Sequence, residues 1–164
     1  MNDEELRALV EELAARGALL AAAESLTGGA LSARIVDVPG ASRVFLGGVT
    51  TYATPLKASI LGVDPKVLDS AGPVDPRVAV AMAEGVRALM GADFGLATTG
   101  VAGPGPQGGH PAGTVYIAIA APTMSAHRLL ALSGTRAQIR ARTVDRALEL
   151  LAEALRSGDR AKAD

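Results

Sequence analysis

Ser25 lies in the stretch AAAESLTGG, residues 21–29, next to Glu24 and two positions before Thr27. A serine hydroxyl becomes a nucleophile only when a base removes its proton. Cysteine is absent and histidine occurs only at His110 and His127, so the base has to be one of those imidazoles or a lysine. His127 falls within a predicted strand and His110 within a long loop. The chain carries thirteen arginines but only three lysines, Lys57, Lys66 and Lys162. Arginine stays protonated at ordinary pH, whereas burial can bring a lysine amine toward neutrality. Lys57 opens a short predicted helix just after a strand, where it could reach a sheet edge. Gly28 stands three positions after Ser25, so no SxxK motif is present and any Ser25–Lys57 pair must be assembled by the fold. The plainer alternative makes Ser25 or Thr27 a helix N-cap and leaves Glu24 and Lys57 solvated.

Two further clusters could hold an anion. Gly28 and Gly29 open a predicted helix and each costs about 1 kcal/mol there relative to alanine. Their lack of a side chain would let a ligand approach the backbone N–H groups of the helix start. Thr99 ends a predicted strand, and Gly100 and Gly103 begin the loop GVAGPGPQGGHPAG, whose length and glycine content fit a binding loop with an amide nest. Arg136 and Arg140, one turn apart at the start of the last predicted helix, could clamp a phosphate. A mobile surface loop and a solvated helix face are the alternatives.

These residues need a scaffold. The 164 residues fit one domain, 1–164, and 49% apolar content supports a packed core. Helices are expected at 3–16, 27–37, 55–62, 65–72, 75–91 and 135–156, and fraying over 157–164. Strands are expected at 18–23, 45–53 (with a bulge at its glycine pair), 92–99, 114–122 and 127–134, the last two as an antiparallel hairpin. Leu6, Leu9, Val10 and Leu13 mark the inner face of the first helix. Val78, Met82, Val86 and Leu89 mark that of the fifth, and Ile139, Val144, Leu148 and Leu151 that of the last. Early β/α alternation followed by a hairpin predicts an α/β fold, a three-layer α/β/α sandwich with a mixed, mostly parallel sheet of about five or six strands.

Composition narrows function. A formal charge of −1 and 2% aromatic content give neither a positive field nor a stacking platform, so direct nucleic-acid binding is not expected. Metal-ligand spacings such as HExxH are absent, so no metal is expected. Without a signal-peptide pattern or an apolar span of about 20 residues, a cytoplasmic protein without membrane association is expected.

Taken in order, AESLTGG, DVPGASRVFLGGVTTYATPLKASILGV, VAMAEGVRALMGADFGLATTGVAGPG, PAGTVYIAIA and LSGTRAQIR resemble the CinA C-terminal domain family. Its characterised enzymatic members are PncC-type nicotinamide mononucleotide deamidases. The resemblance implies an amidohydrolase that forms nicotinate mononucleotide and ammonia without a cofactor, acting on a small nucleotide, and a homo-oligomer is expected. It implies Ser25 and Lys57 as the catalytic pair, with Tyr52 beside them, and a substrate loop over residues 99–104. Many members carry Cys at the position of Leu26, Asn at Thr54 and Asp at Thr135. On this reading Glu24 faces the pyridinium cation and N–H groups near Thr27 to Gly29 hold the oxyanion. Two other readings remain at this point: a nucleotide-binding module without turnover, and a protein-interaction domain linked to competence or DNA repair.

Overall fold

The structure, a computed structural model, describes residues 1–163, with side chains as far as Ser157. Its elements are α1 (Asp3–Ala15), β1 (Leu20–Glu24), α2 (Ala30–Val36), β2 (Phe45–Thr50), α3 (Thr54–Leu61) and α4 (Pro65–Ala71). They continue with α5 (Pro76–Met90), β3 (Phe94–Gly100), β4 (Thr114–Ala121), β5 (Met124–Ala131) and α6 (Arg136–Ala163). The five strands form one sheet in the order β2-β1-β3-β4-β5. β1 pairs in parallel with β2 and β3, while β3–β4 and β4–β5 are antiparallel. The α/β class and the five strands agree with expectation. The sheet is evenly mixed rather than mostly parallel, because the strand after the long loop returns directly beside β3 instead of crossing over.

Alternation along the strands divides the core into two layers. Leu20, Ala22, Leu96, Val115, Ile117 and Ile119 pack with α1, α2 and α6. Ala21, Ala23, Ala97, Ala118 and Ala120 pack with α3, α4 and α5 on the opposite face. The second face is built from alanine because α5 lies very close to it. A Cβ at Gly95 would collide with the Ala83 carbonyl oxygen. This proximity also corrects the stripe expected for α5. Ala79 and Ala83 are buried with Val78, Met82 and Val86, and Leu89 is left exposed. The inner faces expected for α1 and α6 are buried.

Local chemistry sets the boundaries. Asn2 and Glu5 form a capping box at the start of α1. Asp75 caps α5, with Pro76 in its first turn. The bulge expected at the glycine pair lies one residue earlier: Leu20 faces Phe45 and Ala21 faces Gly47, so Leu46 is the extra residue, while Gly47 and Gly48 pair regularly with Ala21 and Ala22. α2 starts at Ala30, three residues later than expected, because residues 25–29 form turns that require positive φ at Gly28 (59°) and Gly29 (94°). α6 continues through Ala163 instead of ending near Arg156. The fraying expected over 157–164 is thus replaced by helix as far as Ala163, and Asp164 lies outside the described residues. No helix among the described residues is long and apolar enough to cross a membrane.

β1 leaves the sheet into α2 on one face, and β2 returns to β3 through α3, α4 and α5 on the other. The connections therefore diverge at the carboxyl end of β1, where open α/β sheets form a crevice.

Candidate active site

Three strand ends meet in that crevice. Ser25 follows β1, its N–H bonded to the Thr98 carbonyl of β3. Thr51 follows β2, its N–H bonded to the Glu24 carbonyl. Lys57 comes from the first turns of α3, and its side chain is only 1% exposed. Its Nζ lies 3.0 Å from Ser25 Oγ and donates to the Thr51 carbonyl at 2.5 Å. Burial alone lowers its pKa from 10.5 to about 8. No carboxylate pairs with it among the described residues, so nothing offsets that desolvation.

A pocket of about 80 Å³ opens over this pair and includes Leu26, Val74, Thr99, Gln107 and Arg136. Its lining contains two cationic residues, Lys57 and Arg136, and no carboxylate. Thr99 is fixed by donating its hydroxyl to the Pro73 carbonyl at 2.7 Å, and Gly100 stands beside it in the lining. Arg136 lies across the rim, with Nη1 on the Gly103 carbonyl at 2.7 Å and Nη2 on Tyr52 Oη at 2.9 Å. Tyr52 is exposed and its hydroxyl is turned to Arg136, so it belongs to the rim rather than to the Ser25–Lys57 pair. Gly103 joins the site through its carbonyl, which accepts from Arg136.

Several expected substrate contacts have other partners. Glu24 is fully buried and its carboxylate caps α2. Oε2 accepts from the N–H groups of Gly29 and Leu31, and Oε1 from the N–H and hydroxyl of Ser32. It therefore cannot face a substrate cation. Thr27 shares a 2.7 Å hydroxyl contact with Thr98 in the interior. The Gly28 N–H closes a turn on the Ser25 carbonyl and the Gly29 N–H is held by Glu24, so neither is available to an oxyanion. Arg140 does not line the pocket. Its Nε and Nη2 donate to the carbonyls of Leu26 and Thr27. His110 and His127 are not in the pocket lining.

Residue reading missed Thr51, whose carbonyl anchors the amine, as well as Val74 and Gln107. The strand-end position of Thr51 was a usable signal. Gln107 lies within the loop that was expected to bind, although it was not singled out, and nothing local pointed to Val74.

Residues 3–155 match the family model of the CinA C-terminal domain. The chain belongs to the CinA C-terminal domain family. It is 52% identical over 139 residues to a CinA-like protein of Frankia casuarinae, a match covering 85% of this chain and 32% of that protein. A putative competence-damage inducible protein of Desulforamulus reducens is 45% identical over 150 residues, covering 91% and 36%. The chain thus spans about one third of the length of these curated relatives. Among solved structures, it is similar to the competence/damage inducible protein of Agrobacterium tumefaciens, with a TM-score of 0.89 and 33% identity over 93% of this chain and 94% of that one. A CinA superfamily protein of Klebsiella pneumoniae gives a TM-score of 0.90 and 32% identity over 96% and 99%.

Proposed function

We propose that this domain is an amidohydrolase that converts nicotinamide mononucleotide to nicotinate mononucleotide and ammonia. One observation carries the reading: a buried lysine amine, without a counterion among the described residues, lies 3.0 Å from a serine hydroxyl in the lining of a pocket. A neutral amine held through one N–H by the Thr51 carbonyl keeps its lone pair for the Ser25 proton.

Ser25 Oγ attacks the carboxamide carbon as its proton passes to Lys57 Nζ. The C–N bond then breaks as the Lys57 ammonium returns that proton to the departing nitrogen, releasing ammonia and leaving an acyl ester on Ser25. Water, deprotonated by Lys57, attacks the ester, and the proton returns to Ser25. The oxyanion needs an uncommitted donor, and the Leu26 N–H fits this role. It follows the nucleophile, belongs to a residue of the pocket lining, and makes no hydrogen bond among the described residues. Such a donor contributes about 3 kcal/mol. Arg136 supplies positive charge for the phosphate at the rim. Pyridinium charge acts on the reacting carbonyl through the ring itself, since no carboxylate lines the pocket.

The experiment is ammonia release from nicotinamide mononucleotide by the purified protein, compared with Ser25→Ala. Turnover that disappears in the variant supports the reading. Turnover that survives removes Ser25 as nucleophile, and binding without ammonia release from the unmodified chain leaves a nucleotide-binding module.

A further inference from the structure

Arg140 is half-buried in the second turn of α6 and makes no ion pair among the described residues. Its guanidinium instead donates to two consecutive carbonyls, Leu26 at 3.0 Å and Thr27 at 2.6 Å. These belong to the second and third peptide groups after the Ser25 α-carbon. A peptide group is planar, so holding its carbonyl fixes the direction of its N–H. The 27–28 peptide is held by Arg140 at the oxygen, and its N–H, from Gly28, closes on the Ser25 carbonyl at 3.1 Å. That carbonyl shares a plane with the Leu26 N–H. Three successive peptide planes are therefore locked, two directly by Arg140 and one through the Gly28 bond.

Glu24 and Thr98 anchor the two ends of the turn, through the Gly29 N–H and through the Ser25 N–H and Thr27 hydroxyl, but neither holds the peptide groups between them, which is where Arg140 acts. Gly28 and Gly29 lie at positive φ and carry no side chain that could fix their torsions. Arg140 reaches the turn from a different helix and from outside the pocket. Its charge also draws electron density toward the two carbonyl oxygens and strengthens the N–H groups of the same peptides as donors.

Resting on the hydrolase reading, we propose that Arg140 is a positioning residue: it fixes the turn behind Ser25 so that the Leu26 N–H meets the oxyanion. It does not touch substrate. A residue that holds the substrate phosphate would, in contrast, act on KM.

The test compares Arg140→Gln, Arg140→Lys and Arg136→Gln in the full chain, with nicotinamide mononucleotide as substrate. An oriented donor is worth about 10²-fold in kcat, and Arg140→Gln is expected to lose about that much with KM changed less than about threefold. Lysine has a single ammonium and cannot reproduce the fork, so Arg140→Lys should recover only part of the rate. Arg136→Gln should show the opposite split, a raised KM with a smaller change in kcat. Amide hydrogen exchange at residues 26–29 should accelerate in Arg140→Gln, a readout independent of turnover. If Arg140→Gln does not fold, Arg140→Lys carries the same kcat-against-KM comparison.

A raised KM with unchanged kcat in either Arg140 variant overturns the proposal, as does an unchanged rate together with unchanged exchange. Failure of the hydrolase reading looks different. In that case the unmodified chain releases no ammonia, and p-nitrophenyl acetate does not acylate Ser25. The Arg140 proposal then falls with it, whatever the exchange result.

Discussion

Two buried charged side chains flank Ser25, and they differ in how completely they are satisfied. Glu24, the last residue of β1, meets four donors, two on each carboxylate oxygen. Lys57, from α3, meets one hydroxyl and one carbonyl and no opposite charge among the described residues. Both are almost wholly removed from water. Burying a charge is costly unless hydrogen bonds replace hydration. On the Glu24 side the replacement is complete, and the carboxylate works as a helix cap that fixes the turn. On the Lys57 side it is incomplete, so the amine shifts toward neutrality, to a pKa of about 8. The lesson is that burial alone does not mark chemistry. An undersatisfied charge beside a serine hydroxyl is the observation on which the hydrolase proposal rests.

The sharpest way to break this comparison is Lys57→Met. Methionine fills similar volume without the charge. Loss of a general base should lower ammonia release by about 10³-fold. Stability at pH 7 should rise by about 1 kcal/mol, because an uncompensated buried charge has been replaced by an apolar chain. Urea denaturation beside a turnover assay checks both. A variant that is inactive and destabilised would mean that Lys57 holds the fold together, and the distinction from Glu24 would collapse.

Glu24→Gln should do the reverse. The amide offers one oxygen where four donors converge, and its own NH2 would face some of them. A loss of about 2–4 kcal/mol in folding free energy is expected, measured by urea denaturation. What activity survives should track the folded fraction, with KM unchanged. A raised KM in a fully folded protein would return Glu24 to the substrate site.

The same contrast explains what could be read from sequence. The layers were legible because the stripes of α1 and α6 carry large aliphatic residues at helical spacing. Part of the α5 stripe was not, since the close approach allowed by Gly95 turns the buried face toward alanines that hydropathy barely distinguishes. Ser25 stood out by its place between a buried strand and a glycine pair, and Lys57 by the scarcity of lysine. Their contact did not follow from spacing. They are 32 residues apart, and the resemblance to a family supplied the pairing.

Glu24 and Arg140 were misread for a common reason. Both are charged residues near a predicted site, and charge near a site looks like recognition. Each is instead turned to the backbone of the turn, a relation that depends on how α2 and α6 dock.

The smallest expected effect is also the one that isolates Lys57 from every other group. Its folded-state pKa of about 8 lies below the ordinary lysine value of 10.5. Between these values the unfolded chain binds a proton that the native chain does not, so stability increases with pH across that window. Below about pH 8 both states are protonated at this site and the burial penalty is present in full. Between pH 8 and 9 the gain attributable to Lys57 should be about 1 kcal/mol, and it should be absent in Lys57→Met. Because other groups titrate equally in both proteins, the difference between the two stability curves is the measurement. The turnover rate should rise through the same region, as the amine loses its proton and becomes a base. A stability difference that stays flat from pH 7 to 10 would mean that Lys57 keeps its charge in the folded protein, leaving it on the same footing as Glu24.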